Sequence, residues 1–547
     1  MELDLNILIA NWKKFATQHG IRWKNSFLSW ELPKNIRADF ALTLALPIAY
    51  KTKKNPQQIA QQIIKITDCP NLEYTITEQG YINFRFPTIY YQYFLNETAK
   101  KKGQNLQGEK KNIRINIEYV SANPTGYLHL AHFRHAFVGN TLANIYQFCG
   151  YEVIREYYIN DRGGQIISLI NSIYYFYHKL QNIPLPTSDK IEYAGKSSQE
   201  IAHQLIKKWG FKYINKELSK EGFIIWKKEI LNLILAKIRQ DLEKCGVKFD
   251  IWFSESSLYD KNKPKELLTE LTKKDLIYTQ EGAIFFRSIL GGDDKDRVII
   301  KQDGDYTYFF SDILYQLNKL QRADELIYVW GADHHGTIAR LKSISQLLDY
   351  KLERIKIILV QVVNLLTKEG QTQRFSKRAG NTIELKEALN YLDLNQLKFF
   401  LLEKEPNQPL VINTDLLKES QEKTRLYYIQ YAHARCHQIF RKAQERNLTK
   451  ISSDINLLEQ NSEREIFNLL IRFSFILANI IEENKPHHLV HYLSELAHHW
   501  QVYYQNSIIL ELEKPELTSQ KLLLVKNIQI VLKLGLDLMG IEAPNIM

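Results

Sequence analysis

The first hundred residues change from a helical to a strand-like spacing of hydrophobic positions. Apolar residues recur every three or four positions in residues 3–16 and 55–66, a period typical of amphipathic helices. Residues 74–86 instead alternate apolar and polar side chains, which predicts strands. The polar, basic segment at residues 100–112 predicts a linker. Residues 1–105 are therefore expected to form a small α+β domain.

The middle of the chain has the pattern of a parallel sheet. A strand at residues 113–119 precedes a loop, a helix that ends at Gly150 and a second strand at 152–161, which is the order of a βαβ unit. A helix-rich stretch follows from about 165 to 245. Residues 106–385 are thus predicted to form an α/β, nucleotide-binding sheet with an inserted region. Further strand patterns occur at residues 283–287, 297–301, 326–330 and 355–361.

Strand patterns nearly disappear from about residue 386 onward. Amphipathic helical spacing dominates instead, so residues 386–547 are predicted to form an all-α bundle. The helical segments are 387–392, 397–404, 416–445, 464–483 and 520–540.

Composition narrows the class of protein. The chain has 547 residues, well beyond the roughly 250–300 at which one core stops growing. With 45% hydrophobic and 24% charged residues, bulk disorder is excluded. No apolar run approaches the ~18–20 residues of a membrane span, and the acidic N-terminus does not resemble a secretory signal. Four scattered cysteines indicate neither a zinc knuckle nor a disulfide framework. A cytoplasmic protein with no membrane partner is expected.

Positive charge is concentrated in the first two-thirds of the chain. The formal net charge is +11, which favours a polyanionic partner. Residues 386–547 contain 18 Lys+Arg and 20 Asp+Glu, a net charge of −2, so the rest of the chain has a net charge of +13. Attraction to such a partner should therefore come mainly from residues 1–385.

Two histidines mark a candidate phosphate site. His129 and His132 lie three residues apart at the start of a predicted helix that follows a predicted strand. A helix N-terminus presents unpaired N–H groups and a positive dipole end, which suit a phosphate. The alternative is a pair of partly exposed helix histidines. The strand–loop–helix order and the Asn-Pro-Thr-Gly turn before them favour the phosphate site.

Two further segments have functional patterns. In residues 331–336, Gly331 allows close approach of a ligand, and Asp333 follows a strand end, where open α/β sheets bind ligands. A metal cluster is the alternative for this segment. In residues 374–381, Ser376, Lys377 and Arg378 can form a cationic clamp for a phosphate leaving group, and an ordinary basic loop is the alternative.

Taken in order, these segments resemble arginyl-tRNA synthetases, a family of class I aminoacyl-tRNA synthetases. The tetrapeptide at 129–132 resembles the HIGH signature, and that at 374–377 resembles the first four residues of the KMSKS signature. Leu130 and Ala131 replace the usual Ile and Gly, and Arg374 and Phe375 replace the usual Lys and Met. Similarity extends from about residue 30 to the C-terminus. The matching segments are 118–126, 155–166, 330–336, 376–381, 427–435 and 535–547.

The resemblance implies specific roles for individual residues. A guanidinium needs carboxylates within bidentate reach, and Tyr308 and Asp312 share one face if their segment is helical. The implied arginine-binding residues are Glu118, Asn123, Tyr308, Asp312 and His334. The implied ATP-binding residues are Gly126, His129, His132, Gly331, Asp333, Ser376 and Lys377, of which His129, His132 and Lys377 are catalytic. The implied tRNA-binding residues are Tyr81, Asn83, Tyr428 and Arg435.

The implied fold is a Rossmann-type class I catalytic domain at 106–385, between an N-terminal domain that contacts the tRNA elbow and a helical anticodon-binding bundle. The implied reaction uses ATP to activate L-arginine and transfers it to tRNA(Arg), with Mg²⁺ accompanying ATP. A monomer without a protein-bound metal or a DNA partner is expected. Two alternatives are another HxxH nucleotidylyltransferase and an inactive tRNA-binding paralogue. For His488, His491, Glu495 and His498, a polar helix face is favoured over a metal site.

Overall fold

The computed structural model divides into two compact units, residues 1–109 with 421–547 and residues 110–420. The boundaries predicted at residues 105 and 386 stay predictions. The structure describes residues 5–30, 32, 37–67, 69, 71–184, 191–213, 220–260, 262–366, 372–374, 384–390, 392–413 and 424–547.

The N-terminal part of the first unit is a four-stranded antiparallel sheet with helices, as its hydrophobic spacing predicts. The sheet order is β1–β2–β4–β3. Its core is aromatic, because Trp12, Phe40 and Phe84 are fully buried and the Trp12 and Phe84 rings stack with centroids 5.4 Å apart. The elements are α1 Leu5–Gln18, β1 Leu28–Ser29, β2 Phe40–Leu42, α2 Ala45–Thr52, α3 Pro56–Thr67, β3 Glu73–Ile76, β4 Ile82–Arg85 and α4 Thr88–Lys100.

The second unit contains a five-stranded parallel sheet together with smaller sheets and helices. Its elements are β5 Arg114–Glu118, α5 Leu130–Phe148, β6 Glu152–Ile159, α6 Gly164–Lys179, α7 Lys196–Trp209, α8 Lys220–Lys244, β7 Ile251–Ser254, α9 Lys263–Lys273, β8 Ile277–Gln280, β9 Ala283–Phe286, β10 Arg297–Ile300, α10 Tyr308–Arg322, β11 Glu325–Gly331, α11 Thr337–Leu347, β12 Ile355–Val360, β13 Val363–Leu366, β14 Thr372–Arg374, α12 Leu385–Ala388, α13 Leu394–Leu402 and β15 Leu410–Asn413.

The order of the parallel strands places a ligand cleft. The sheet runs β12–β11–β5–β6–β7, so the chain leaves β5 toward β6 and later returns to β5's other side with β11. The predicted βαβ unit is therefore confirmed. Between β5 and β11 the strand order reverses, and in open parallel sheets ligands bind beside such a point at the carboxyl ends of the strands.

Four strands differ from the sequence expectation. The strands expected at 283–287 and 297–301 exist, but with β8 they form a separate antiparallel sheet, β10–β9–β8. The edge strand β7, Ile251–Ser254, was not predicted. Strand β15 lies in the region predicted to be all-helical and pairs in parallel with β13, so that prediction is wrong at 410–413.

The C-terminal part of the first unit is a helical bundle, as predicted. The helix expected at 416–445 is described from residue 425 onward, and 416–423 lie outside the described residues. The Arg464 guanidinium donates two hydrogen bonds to the Asp39 carboxylate, at 2.9 and 2.6 Å, and links the bundle to the N-terminal part. The helices are α14 Arg425–Glu445, α15 Asn461–Glu483, α16 His487–Asn506 and α17 Pro515–Leu538.

The architecture confirms the predicted fold class. A five-stranded parallel sheet is accompanied by a small α+β part and a C-terminal helical part. Within the described ranges, no helix combines the length and the apolar character that crossing a membrane requires.

Candidate active site

A cleft of about 600 Å³ opens at the carboxyl ends of β5 and β11, where the strand order reverses. Most residues predicted to bind ATP or arginine line it, although they come from three distant stretches of the chain, 118–132, 308–312 and 331–334. This shared location supports one substrate site, while the individual roles stay predictions. The predicted residues in the cleft are Glu118, Asn123, His129, His132, Tyr308, Asp312, Gly331, Asp333 and His334.

The two signature histidines lie at the N-terminus of α5. His129 is the residue before the helix, with an extended backbone, and its N–H donates to Nδ1 of His132 at 3.1 Å. Their ring centroids are 3.7 Å apart. Because Nδ1 of His132 accepts a hydrogen bond, the ring proton of its neutral form lies on Nε2, which is then a donor. The helix start and this imidazole N–H suit an oxyanion.

The loop after β5 has an unusual backbone. Val120 and Ser121 have φ angles of 67° and 35°, in a region that β-branched and other L-residues rarely adopt. Neighbouring groups hold the loop in place: Ser121 Oγ accepts from the Tyr158 N–H at 3.1 Å, and the Tyr157 hydroxyl donates to the Ala122 carbonyl at 2.9 Å. Such strain persists only where the surroundings over-determine it, and it commonly marks functional sites.

Tyr308 and Asp312 lie on one face of α10, as their spacing predicts. The first turn of the helix is capped by Thr307, whose side chain accepts from the Phe310 N–H. Gly163, with φ of 85°, lies against the Tyr308 hydroxyl, and a Cβ at this glycine would collide with that oxygen. A glycine at 163 therefore leaves room for Tyr308 at the cleft.

The same face of α10 continues with two residues that the sequence interpretation missed. Lys319 Nζ and the Tyr315 hydroxyl both donate to Oε2 of Glu118, at 2.7 and 3.0 Å. Lys319 is fully buried, and its ammonium lies 3.8 Å from the centre of the Tyr328 ring. The spacing of 308, 312, 315 and 319 was the available signal, because these positions share a helix face.

A second ion pair lies beside the first. Glu156 on β6 accepts two hydrogen bonds from Arg322, at 2.8 and 3.1 Å, and its Oε1 lies 2.8 Å from the Tyr315 hydroxyl, whose single proton Glu156 shares with Glu118. Burial alone raises the pKa of Glu156, but Arg322 and Lys319 outweigh burial and hold this pKa below its ordinary value. The charges of Glu118 and Glu156 are thus each balanced by a cation of α10.

Asp312 has a different environment. Burial raises the pKa of Asp312 to about 7, Glu255 adds to the increase, and Arg340 opposes it. The carboxyl group is therefore only partly ionised near neutral pH. A guanidinium bound beside it would add a positive charge and favour the ionised carboxylate. Glu118 and Asp312 therefore differ in their electrostatic environment, although the sequence analysis assigned both of them the same arginine-binding role.

At the end of β11, Gly331 lies against Asp333, and a Cβ at Gly331 would collide with the Asp333 carboxylate. Asp333 and His334 are exposed in the following turn, and the His334 ring centroid lies 5.7 Å from that of Trp330. His135, also missed, lines this cleft, and burial lowers its pKa to about 4. Its neutral imidazole can offer an acceptor, and the repeat of histidines at 129, 132 and 135 was the available signal.

Other predicted residues lie elsewhere. Gly126 lines a separate cavity of about 120 Å³ with Lys196, Ser197 and Glu384. Ser376 and Lys377 lie outside the described residues.

The predicted tRNA-binding residues differ in exposure. Tyr81 is 37% exposed and directly precedes β4, whereas Asn83 is 7% exposed within that strand, so the two do not present one open face. Tyr428 is 57% exposed on α14. The Arg435 guanidinium lies 4.7 Å from the centre of the Tyr431 ring and 4.6 Å from that of Tyr504. Their roles stay predictions.

The C-terminal histidines lie on α16. Glu495 there is bonded to Arg472, and His488 approaches Glu483 at 3.4 Å. These contacts fit a polar helix face. Across the ranges that the structure describes, no three His, Cys, Asp or Glu side chains are grouped as metal ligands.

Comparison with known proteins places this architecture in a family. A family model for the catalytic domain of class I tRNA synthetases (R) matches residues 94–439. Models for the arginyl-tRNA synthetase N-terminal domain and the DALR anticodon-binding domain match residues 14–86 and 429–547. The parallel sheet and its cleft are thus those of a class I aminoacyl-tRNA synthetase.

Whole-chain relatives narrow the class. The arginine–tRNA ligase of Listeria monocytogenes serotype 4b is 36% identical over 525 residues, which cover 94% of this chain and 93% of the relative. That of Aquifex aeolicus is 37% identical over 562 residues, with 94% and 95% covered. A Thermus thermophilus arginyl-tRNA synthetase structure covers both chains fully with a TM-score of 0.77 at 20% identity, which shows the shared fold. The chain belongs to the arginyl-tRNA synthetase family.

Proposed function

We propose that this chain uses ATP to activate L-arginine and transfers the arginyl group to tRNA(Arg). The observation that supports this function best is the shared cleft, which joins the histidine-bearing start of α5 to two acids, Glu118 on β5 and Asp312 on α10. One end suits phosphates and the other suits a guanidinium. The arginine carboxylate would attack the α-phosphate of ATP and release pyrophosphate, and the 3′-terminal ribose of tRNA would then accept the arginyl group.

Arginine binding would rely on two kinds of acid. Asp312 would neutralise the guanidinium charge. Glu118 has both of its described hydrogen bonds on Oε2, and its Oε1 would accept an N–H from the substrate. Tyr308, Asn123 and His334 would orient the rest of the amino acid. A substrate held in this way presents its carboxylate in one position, which is the main source of catalysis when a reaction depends on positioning.

Charge stabilisation would come from the phosphate end. His132 would donate through Nε2, and His129 would act with it at the helix N-terminus. Ser376 and Lys377 would bind the departing pyrophosphate, and Gly331 and Asp333 would border the nucleotide, whereas Gly126 lines a separate cavity. Mg²⁺ would accompany ATP and neutralise phosphate charge. Because Mg²⁺ commonly takes one or two carboxylates and completes its shell with water and phosphate, it does not need a cluster of protein ligands.

Aminoacylation of total tRNA with each labelled amino acid in turn tests the proposed function. Arginine alone should be incorporated, with formation of AMP and pyrophosphate. Adenylyl transfer to another small molecule would favour a different nucleotidylyltransferase. Binding of tRNA without charging would favour an inactive paralogue.

The raised pKa of Asp312 makes arginine use pH-dependent. Below about pH 7 the carboxyl group is protonated in the free enzyme and cannot neutralise the guanidinium. The kcat/KM for arginine, which reports groups of the free enzyme, should therefore rise with pH through about 7 and level off above it. A pH series of tRNA charging measures this midpoint. In Asp312→Asn the inflection should disappear, and an unchanged inflection there would assign it to another group.

Binding of tRNA would involve both parts of the first unit. Tyr81 is exposed directly before β4 and would stack on a base, a contact worth about 1–3 kcal/mol. Tyr81→Ala should therefore raise the KM for tRNA by roughly 5- to 150-fold and leave the KM for ATP unchanged. Tyr50→Ala, at a tyrosine 90% exposed on α2, is the matched control. A folded Tyr81→Ala protein with unchanged tRNA KM would make Tyr81 an ordinary surface residue.

The bundle would read the anticodon through Tyr428, Arg435 and neighbouring groups. Since residues 386–547 have a net charge of −2, shape, stacking and base-edge contacts would dominate there. A monomer located in the cytoplasm completes the proposal.

A further inference from the structure

Arg134 is a buried cation whose hydrogen-bond partners are backbone carbonyls. It follows His132 by two residues in α5 and is fully buried. Nη1 donates to the carbonyls of Gln361 and Gln408, at 3.0 and 2.7 Å, and Nη2 donates to that of Glu405 at 3.0 Å. No carboxylate pairs with it within the described ranges. Burial lowers its pKa to about 10, so it stays charged at neutral pH.

The three carbonyls belong to the segments that enter β13 and β15. Gln361 directly follows β12, and its N–H donates to the Pro406 carbonyl at 2.8 Å. The Leu410 N–H donates to the Val362 carbonyl at 3.1 Å, which begins the β13–β15 pairing. Strand β13 then pairs with β14, whose last residue is Arg374. Arg134 is thus bonded to the segments that precede β13 and β15. These strands belong to the small sheet in which β14 ends at Arg374, the first residue of the 374–377 signature.

The chain after that signature also contacts the start of α5. Glu384 forms an antiparallel backbone bridge with His129, the residue before the helix. The described segments before and after the signature are therefore both attached to the start of α5. One attachment is through the guanidinium of Arg134 and the other is through the backbone of His129.

We propose that Arg134 is a positioning residue, which holds the sheet β14–β13–β15 in a fixed place relative to the histidines of α5. It would touch no substrate. A planar guanidinium with five N–H donors can reach three carbonyls at once, which the single ammonium of lysine reproduces poorly. Displacement of catalytic groups by about 1 Å can reduce a rate about 100-fold. The role rests on the proposed function, because the positioned groups are those assigned to ATP.

The first experiment compares Arg134→Met and Arg134→Lys with Arg354→Met. Arg354 is a matched control, because it also donates to backbone carbonyls, those of Asp324 and Ala323 at 2.6 and 2.8 Å. It directly precedes β12 and so lies at the amino ends of the parallel strands, whereas the cleft lies at their carboxyl ends. The measurement is arginine-dependent pyrophosphate exchange with tRNA present, at saturating substrates and over a range of arginine concentrations. Activity of the unaltered protein in this assay establishes the proposed function independently of any variant.

We expect Arg134→Met to lower kcat by roughly 10- to 100-fold with the KM for arginine within about twofold of the unaltered protein. Arg134→Lys should have a kcat between those of Arg134→Met and the unaltered protein. The kcat of Arg354→Met should be within about twofold of that of the unaltered protein. Thermal unfolding of each variant separates stability from rate. If Arg134→Met does not fold, Arg134→Lys carries the comparison. An unchanged kcat in a folded Arg134 variant, or an equal loss in Arg354→Met, would overturn the proposal.

A double-mutant cycle with Lys377→Ala adds a readout that a merely structural role would not move. If Arg134 acts by positioning the signature, Arg134→Met should lower the single-turnover rate of adenylate formation far less in the Lys377→Ala background than alone. Equal fold-losses in both backgrounds would show independent effects and would reject the positioning role.

Discussion

An Asp312→Asn protein is expected to lose about 30-fold to several thousand-fold in kcat/KM for arginine while its KM for ATP stays unchanged. Of the two acids that line the cleft, Glu118 accepts a hydrogen bond from the buried Lys319, whereas the pKa of Asp312 stays raised because Arg340 only partly offsets its burial. Truncation of one partner in a buried, hydrogen-bonded charge pair costs about 2–5 kcal/mol. The measurement is the arginine KM and kcat in tRNA charging.

Glu255→Gln is a suitable control for this prediction. Glu255 is a buried acid that accepts from Ser311 at 3.0 Å and raises the pKa of Asp312, but it does not line the cleft. Its replacement should shift the pH midpoint of arginine use downward without loss of kcat/KM at pH 8. Asp312→Asn values within about twofold of the unaltered protein would remove Asp312 from the arginine site.

Glu118→Gln should behave differently, because it leaves the buried Lys319 ammonium without its carboxylate. Loss of one partner of a buried ion pair destabilises a fold by about 3–5 kcal/mol, so this variant should show a lower unfolding temperature as well as weaker arginine binding.

The unaltered protein should discriminate against lysine and citrulline, because neither has a charged guanidinium. The kcat/KM for either amino acid should be ~10⁴–10⁵-fold lower than that for arginine.

A Lys377→Ala protein is expected to lose about 10²–10³-fold in the rate of adenylate formation, with tRNA binding nearly unchanged. A single positioned group that stabilises developing charge is worth about 2.7–4 kcal/mol. Pyrophosphate exchange measures the first step, and tRNA binding is measured separately. Lys368→Ala, at a lysine nine residues earlier and outside the signature, should be nearly silent. Near-normal activation by Lys377→Ala would remove this residue from the phosphate site.

Local patterns allowed much of the architecture to be predicted from the sequence. The βαβ unit, the helices of the bundle and the start of α5 at His129 depend on spacing, caps and turns within about twenty residues. The shared face of Tyr308 and Asp312 follows from helical geometry alone. The resemblance to a family rests on several short motifs, each carried by neighbouring residues.

The hydrophobic pattern of the sequence did not show which strands pair with each other in a sheet. The alternation at 283–287 and 297–301 indicates strands but not which strands pair, so these two elements were expected in the main sheet and instead belong to another. The strand at 410–413 exists because it pairs with 363–366, almost fifty residues earlier. Strand pairing is a long-range property, and β-propensity depends on the neighbours that a strand finds.

The sequence by itself determined the strand ends and the helix face that bring most of the predicted residues to the cleft, but it did not identify Tyr315 and His135, which also line it. Only the tertiary structure decided which ion-pair and hydrogen-bond partners surround these side chains, and therefore how readily they ionise. Lys319 neutralises Glu118 across 201 residues of chain, and Arg134 reaches carbonyls more than 220 residues away. Burial raises the pKa of Asp312, and Arg340 only partly offsets this increase. Desolvation and ion pairing depend on the groups that surround a side chain in three dimensions, and the spacing of residues along the sequence does not indicate those groups.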